Sequence, residues 1–445
     1  MPRILVALTL GAILLSALSS QWCRINGWGQ PGVYHYGCYS DVTALWTLRG
    51  FHEFPHAPFV PAEEFTQTAE PGFEYPILTS LVAVALAWVT HKLSLPGGEG
   101  APTAAYWAGR DSLLLWDITF LVSALLWIAL VLITMKSAGR RPWDAVIVAV
   151  SPAIIFGIGI NWDIWPAVAL AGAVLAYQRG RLVWAGVLVG VGVSFKVYPL
   201  FLLGAVLVLM LRGLWKRDTD VSPLHFVRLL AATALTWLVI NGPAMLLNFE
   251  AWRLFYDFSA ERGAGNSSLW HLWILLGDTF GPVDSLWTWG SELFAPAPGE
   301  DGGAEMISFL SLTLFALSCA GVLILGLLAK NPPRMVQLLL LIVAAFMIFN
   351  KVYSPQFMLW LVPLIALAAP RIRDVIIWHA VQVLHFWAIW MHLAQRGDNY
   401  MDRHSMDPDL MAIAIVAVHL STAYIAAQVV WDILRPERDV VRTSP

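Results

Sequence analysis

Several side chains in this sequence are of a type and spacing that can do chemistry. Tyr39-Ser40-Asp41 follows the first apolar run. A carboxylate there can take a proton from an acceptor hydroxyl, with Tyr39 and Ser40 as hydrogen-bonding neighbours. The same aspartate precedes Val42-Thr43-Ala44-Leu45-Trp46, so a helix N-cap is the competing reading. Glu74-Tyr75-Pro76 opens the next apolar run, where Pro76 suits a first helical turn. Glu74 is either a second active-site carboxylate or a complement to the helix dipole. Asn161-Trp162-Asp163 splits two apolar runs, and Asp117 lies inside another. An ionisable group at such depth is expensive and should face water, a partner or a ligand, although Asp163 also suits a short turn.

Two lysines stand alone between apolar runs. Lys196 lies in Phe195-Lys196-Val197-Tyr198-Pro199, and Lys351 in Asn350-Lys351-Val352-Tyr353-Ser354-Pro355-Gln356. Each can bind phosphate as a point charge or snorkel to an interface. Arg262 is a third candidate cation, in a segment that also carries Ser268-Leu269-Trp270. His52, Glu53 and His56 invite a metal reading, but Pro55 breaks the helix that would align the two histidines. There is no HExxH pattern and no Gly-rich nucleotide loop. No metal and no cofactor is expected.

The elements that position these residues are apolar helices. The 445 residues are 58% hydrophobic and 13% charged, against about 25% charged in soluble domains. Runs of spanning length make this an all-α polytopic membrane protein and exclude the alternating strands of a barrel. No basic stripe exists, so nucleic acid is not an expected partner. Candidate spans are 4–20, 76–93, 113–135, 145–160, 164–177, 182–195, 198–213, 228–248, 306–329, 335–349, 357–369, 373–394 and 410–432. Several fall short of the ~20 residues that a crossing needs, as though they end in a cavity. The first run reads as a retained signal-anchor, with a cleaved signal peptide as the alternative.

Basic clusters around Arg140, Arg179, Arg212, Arg334, Arg371 and Arg438 assign those turns to the cytoplasm. The loops 21–75, 249–305, 350–356 and 395–409 then face outward. Thirteen spans cannot return both termini to one side, so 76–93 or a neighbour is expected to be re-entrant, and twelve or thirteen crossings are expected. Residues 1–432 form one integral-membrane domain and 433–445 a disordered cytoplasmic tail. Cys23 and Cys38 share the first outer loop, where a disulfide and two free thiols are both open readings.

Taken in order, Tyr39-Ser40-Asp41, Glu74-Tyr75-Pro76, Asn161-Trp162-Asp163 and the two Lys-Val-Tyr segments resemble the actinobacterial polytopic glycosyltransferases of the GT-C superfamily. The pattern is similar to glycosyltransferase family 87, which includes polyprenol-phosphate-mannose-dependent mannosyltransferases. The resemblance runs from the first helix to about residue 370. It implies a GT-C-type helical bundle in the cell membrane with its active site on the extracytoplasmic face. It also implies inverting transfer of a sugar, mannose by family weight, from a polyprenyl-phosphate donor to a cell-envelope glycolipid or polysaccharide. Asp41 matches the family's general base. Lys351, and less directly Lys196, match donor-phosphate ligands, and Arg262 stays a further candidate cation for the same phosphate. Tyr39, Ser40, Glu74, Tyr75, Asn161, Asp163, Tyr198, Tyr353, Gln356 and Trp270 are the remaining substrate-binding candidates. The loop has one Asp where some GT-C relatives have an acidic pair, which fits the expectation of no metal. A transporter or flippase of lipid-linked precursors is the rival reading, since broken helices and buried charge suit both. A non-catalytic envelope scaffold is another.

Overall fold

A computed structural model describes residues 1–29, 32–65, 72–94, 110–280, 294, 303–396 and 406–443. Glu70, the connection 95–109, the acidic stretch 295–302 and most of the 395–409 loop lie outside the described residues. The described chain is helical throughout, with no strand among the described residues.

After α1 (Pro2–Ser19) the first loop carries three short helices, α2 (Gln21–Ile25), α3 (Gly32–His35) and α4 (Asp41–Leu48). Next come α5 (Ile77–Leu93) and α6 (Arg110–Ser137), then a crossing broken into α7 (Val146–Ala149) and α8 (Pro152–Gly157). Ser151 caps α8 by accepting from the Ile154 N–H, and Pro152 occupies its first turn, so the break is written in the sequence. The chain continues through α9 (Ile164–Gln178), α10 (Leu182–Phe195), α11 (Phe201–Lys216) and α12 (Pro223–Leu247). The second outer segment holds α13 (Phe249–Glu261) and α14 (Leu269–Phe280). The last group is α15 (Gly303–Leu328), α16 (Met335–Phe349), α17 (Met358–Ala368), α18 (Ile372–Arg396) and α19 (Pro408–Leu434).

Seven helices are long and apolar enough to cross a membrane, and a further six apolar helices are shorter. The short ones surround the site: α9, α10, α16 and α17 each begin or end at a polar break rather than at a lipid surface. Packing holds these breaks at depth. Gly186 and Gly190 on α10 face α12 so closely that a Cβ would lie 2.4 Å from the Leu229 carbonyl and 2.7 Å from that of Thr233. This close approach is what small residues four apart allow in apolar helices.

One apolar run, α5, is tied at both ends to the first loop and to α6. Its N-terminal end lies at Tyr75, whose hydroxyl reaches Asp41, and its C-terminal end places His91 Nε2 2.8 Å from the Phe51 carbonyl. Ser94 then bonds Asp111 in the first turn of α6 at 2.6 Å.

The first loop is not a loose polar connection. A Cys23–Cys38 disulfide closes it, and Trp28, Trp46, Phe51, Phe73, Trp116 and Trp162 form its own apolar core. The tail also differs from expectation: residues up to 443 are docked rather than disordered. Asp439 is fully buried and binds Arg334 through two hydrogen bonds of 3.0 Å, with Gln337 at 3.1 Å. Arg371 pairs with Asp432 and also donates to the Arg438 carbonyl. A carboxylate in such a setting must be paired, and the pairing ties the tail to α16 and α18.

Replacing Asp439 with Ala leaves Arg334 without its counter-ion. We expect a loss of about 3 kcal/mol, read as a lowered unfolding midpoint of the detergent-solubilised protein. The same measurement on Glu437→Ala, an exposed neighbour, should show no change.

Candidate active site

The polar breaks converge on one cavity of about 700 Å³ that opens at the end of the bundle bearing the first loop. Asp41, Glu74, Tyr75, Lys196, Arg262, Lys351, Tyr353 and Gln356 all line it, though they come from five separate stretches of chain.

Ser40, not Asp41, is the N-cap of α4. Its hydroxyl accepts from the Val42 N–H at 3.3 Å and donates to the Ile160 carbonyl at 3.1 Å. The Asp41 backbone N–H binds the same carbonyl at 2.8 Å, which stitches α4 to the break before α9. The Asp41 side chain is thereby free of capping and points into the cavity. Its Oδ2 accepts from Tyr75 Oη at 2.9 Å and Asn161 Nδ2 at 3.2 Å, and Tyr39 supplies a further hydrogen bond. Asn161 is fixed in turn, because its Oδ1 accepts from the Asp163 N–H at 3.0 Å. Burial raises the Asp41 carboxyl above its ordinary value of 3.8, and these hydrogen bonds and the field of Lys196 pull it partly back. No cation touches it within ion-pair distance among the described residues, so the carboxylate is held by neutral donors.

The other carboxylates are spoken for. Glu74 forms an ion pair with Arg49 at 2.9 Å, so its charge is matched, unlike that of Asp41. Asp163 is buried and pairs with Lys196 at 2.7 Å. Asp117 pairs with Arg24 at 2.6 Å. Lys196 is thus neutralised at its tip and packed over the rings of Tyr75, Phe357 and Trp360 at 5.5 to 6.0 Å. Its charge is therefore already matched by Asp163, although it lines the cavity beside Asp41.

Lys351 is different. Its ammonium donates to the Ala260 carbonyl at 2.9 Å and to Ser308 Oγ at 2.8 Å. Two of three donors are used, and both acceptors are neutral. Burial pushes the Lys351 amine below its ordinary value, and the nearby Arg262 cation pushes it the same way. Neither Lys351 nor Arg262 has an ion-pair partner among the described residues. Two cations close together at the wall of a cavity make that wall electropositive.

Five candidates do not line the cavity: Asn161 and Asp163 sit behind Asp41 and Lys196, and three more are used elsewhere. Tyr198 is fully buried and stacked on Trp360 at 4.3 Å, and it does not line the cavity. Trp270 packs against Phe294 and donates to the Phe349 carbonyl at 3.2 Å. Ser40 is consumed by capping. Tyr353 reaches the cavity but its hydroxyl is committed to Gln382 at 2.9 Å. Residues that the motifs do not reveal also line the cavity, among them Tyr34, Trp390 and α13 side chains such as Tyr256. Trp390 lies far along the chain inside an apolar run, where a tryptophan reads as an interface anchor. Its only sequence signal is the high count of 23 Trp.

No protein-family model matches the chain, and no curated protein matches it. Among solved structures the chain is similar to the archaeal oligosaccharyltransferase AglB from Archaeoglobus fulgidus, in complex with an inhibitory peptide and a dolichol-phosphate. That similarity has 16% identity and a TM-score of 0.34 over 95% of this chain and 56% of that one. It is also similar to ArnT from Cupriavidus metallidurans bound to undecaprenyl phosphate, with 16% identity and a TM-score of 0.35 over 96% of this chain and 77% of that one. The chain spans little more than half the length of the first of these.

Tyr75→Phe and Asn161→Ala each remove a hydrogen bond that favours the ionised carboxylate. Both should move the Asp41 titration upward from its already raised position. Infrared titration of the carboxyl stretch, with Asp41→Asn as the blank, reads the shift; a downward movement contradicts this account of the site.

Proposed function

We propose that the protein is an inverting GT-C glycosyltransferase that moves a sugar from a polyprenyl-phosphate donor to a cell-envelope glycolipid or polysaccharide. The observation that carries this is one cavity with an unpaired, raised carboxylate at Asp41 and an unpaired cation pair at Lys351 and Arg262. A base and an anion site in the same cavity are the minimum that direct displacement at a sugar phosphate needs. The order of motifs adds mannose as the sugar of choice.

Asp41 takes the proton of the acceptor hydroxyl, whose oxygen attacks the anomeric carbon. The bond from that carbon to the phosphate oxygen breaks, and the lipid phosphate leaves with the electron pair. Lys351 and Arg262 stabilise the charge that develops on the departing phosphate. Tyr75 and Asn161 hold the carboxylate in place. Lys196, tied to Asp163, keeps the base partly ionised through space. One base suffices for inversion, and no covalent enzyme intermediate is formed. The disulfide in the first loop and the concentration of arginines at the opposite end support an extracytoplasmic site.

Asp41→Asn should lower transfer from radiolabelled polyprenyl-phosphate mannose into envelope acceptors by about 10²–10⁴-fold, with the protein still folded. Because the working form is the deprotonated one and burial raises its titration, wild-type activity should fall as pH drops through a value above 3.8. Near-normal transfer by Asp41→Asn, or an acid limb at the ordinary carboxylate position, contradicts the assignment.

Lys351→Met should raise the donor KM by roughly 10- to 100-fold with little effect on folding. Lys196→Met should instead lower the unfolding midpoint, since it strands Asp163 unpaired in the protein interior. Equal effects of the two substitutions on donor KM would reverse the distinction drawn between the lysines.

A further inference from the structure

Tyr34, Tyr39 and Trp390 line the wall of the cavity beside the base. Their ring centroids form a triangle with sides of 5.0, 5.8 and 6.1 Å, and their planes lie within 36° of one another. Tyr34 and Tyr39 come from the disulfide-closed first loop, and Trp390 from the far end of α18, where it is 4% exposed. The wall is rigid on both sides: the disulfide fixes the loop, and the bundle fixes the tryptophan. It is not purely apolar. Tyr39 bonds Asp41, and burial first and the Asp41 charge second raise the titration of both phenols, so their hydroxyls sit in the field of that carboxylate.

Resting on the glycosyltransferase reading, we infer that this aromatic triangle is a platform for a pyranose ring of the acceptor. A pyranose has an apolar face of C–H bonds and a rim of hydroxyls. The half-buried ring faces of Tyr34 and Tyr39, packed on the buried Trp390, suit the former, because aromatic surfaces carry negative charge that attracts C–H edges. The phenols and Asp41 suit the latter. A lipid tail has no use for three hydrogen-bonding groups, and a bare aliphatic alcohol has no face to stack. In a displacement the acceptor lies opposite the leaving phosphate. The wall is at the base, whereas Lys351 and Arg262 mark the phosphate. The stacked ring therefore belongs to the acceptor, and the hydroxyl that reacts is one that reaches Asp41 while the ring lies on the wall.

The test uses the full-length protein in nanodiscs, without donor, and methyl α-mannopyranoside, methyl α-glucopyranoside and methyl β-galactopyranoside as probes. Saturation-transfer NMR titrations should show saturable binding of at least one of them, strongest at the C–H protons of one ring face. Trp390→Ala should weaken that binding about tenfold, and Trp390→Phe much less. Tyr34→Leu, in a separate part of the chain, should weaken it in the same direction and guards against a folding defect in the tryptophan variant. In transfer assays the same substitutions should raise the KM of the acceptor and leave that of polyprenyl-phosphate mannose unchanged. No saturable glycoside binding, or binding indifferent to both alanine and leucine substitutions, overturns the platform. A rise in donor KM alone would give the wall to the donor sugar and overturns it too. The glycoside arm needs no turnover, so absence of transfer with binding intact strikes the transferase reading alone.

Discussion

The structure is governed by the cost of keeping a charge inside an apolar bundle. A buried ion must be matched by an opposite charge or by hydrogen-bond donors, and losing the match costs several kcal/mol. Almost every carboxylate at depth here takes the first solution. Asp163 has Lys196, Asp439 has Arg334, Asp432 has Arg371, and Glu74 has Arg49. Asp41 takes the second: it is held by Tyr75, Asn161 and Tyr39, all neutral. A carboxylate solvated by neutral groups keeps its basicity, whereas one pressed against a cation loses it. That difference separates a candidate base from the structural acids around it.

The same rule organises the two ends of the bundle. At one end, Arg334, Arg371 and Arg442 gather the last residues of the chain against buried acids. At the other, Lys351 and Arg262 have no such partners among the described residues, and the cavity forms between them and Asp41. Paired charge makes a closed end, and unpaired charge of both signs makes an open one. The short helices α9, α10, α16 and α17 are what allow this, since a helix that stops early leaves its polar terminus where a full crossing would place apolar side chains.

Much of this was legible in the residues. Apolar runs, prolines and lone ionisable groups placed the helices and their breaks, because the bilayer imposes length and polarity on each segment. Asp41 and Lys351 stood out for being costly where they are. Identical local signals also led to different ends. Lys196-Val197-Tyr198 and Lys351-Val352-Tyr353 share a core, yet Lys196 is cancelled by an aspartate 33 residues earlier, while Lys351 meets only a carbonyl and a hydroxyl. Tyr198 is buried on Trp360, and Tyr353 reaches the cavity. Trp270 and Ser40 were drawn to the site by sequence proximity and are used for packing and capping. Tyr34 and Trp390 went unseen, since neither their spacing nor their composition sets them apart from interface aromatics.

The sequence by itself determined that this is a helical membrane protein, where its helices break, and which few charges would have to be accounted for. These properties follow from each segment's own contact with lipid or water. The tertiary structure alone decided which charges cancel, that both ends of α5 meet the first loop, that Ser40 takes the cap and releases Asp41, and that a loop tyrosine meets a distant tryptophan. Each depends on distances between residues remote in the chain, and a linear pattern carries no such distances.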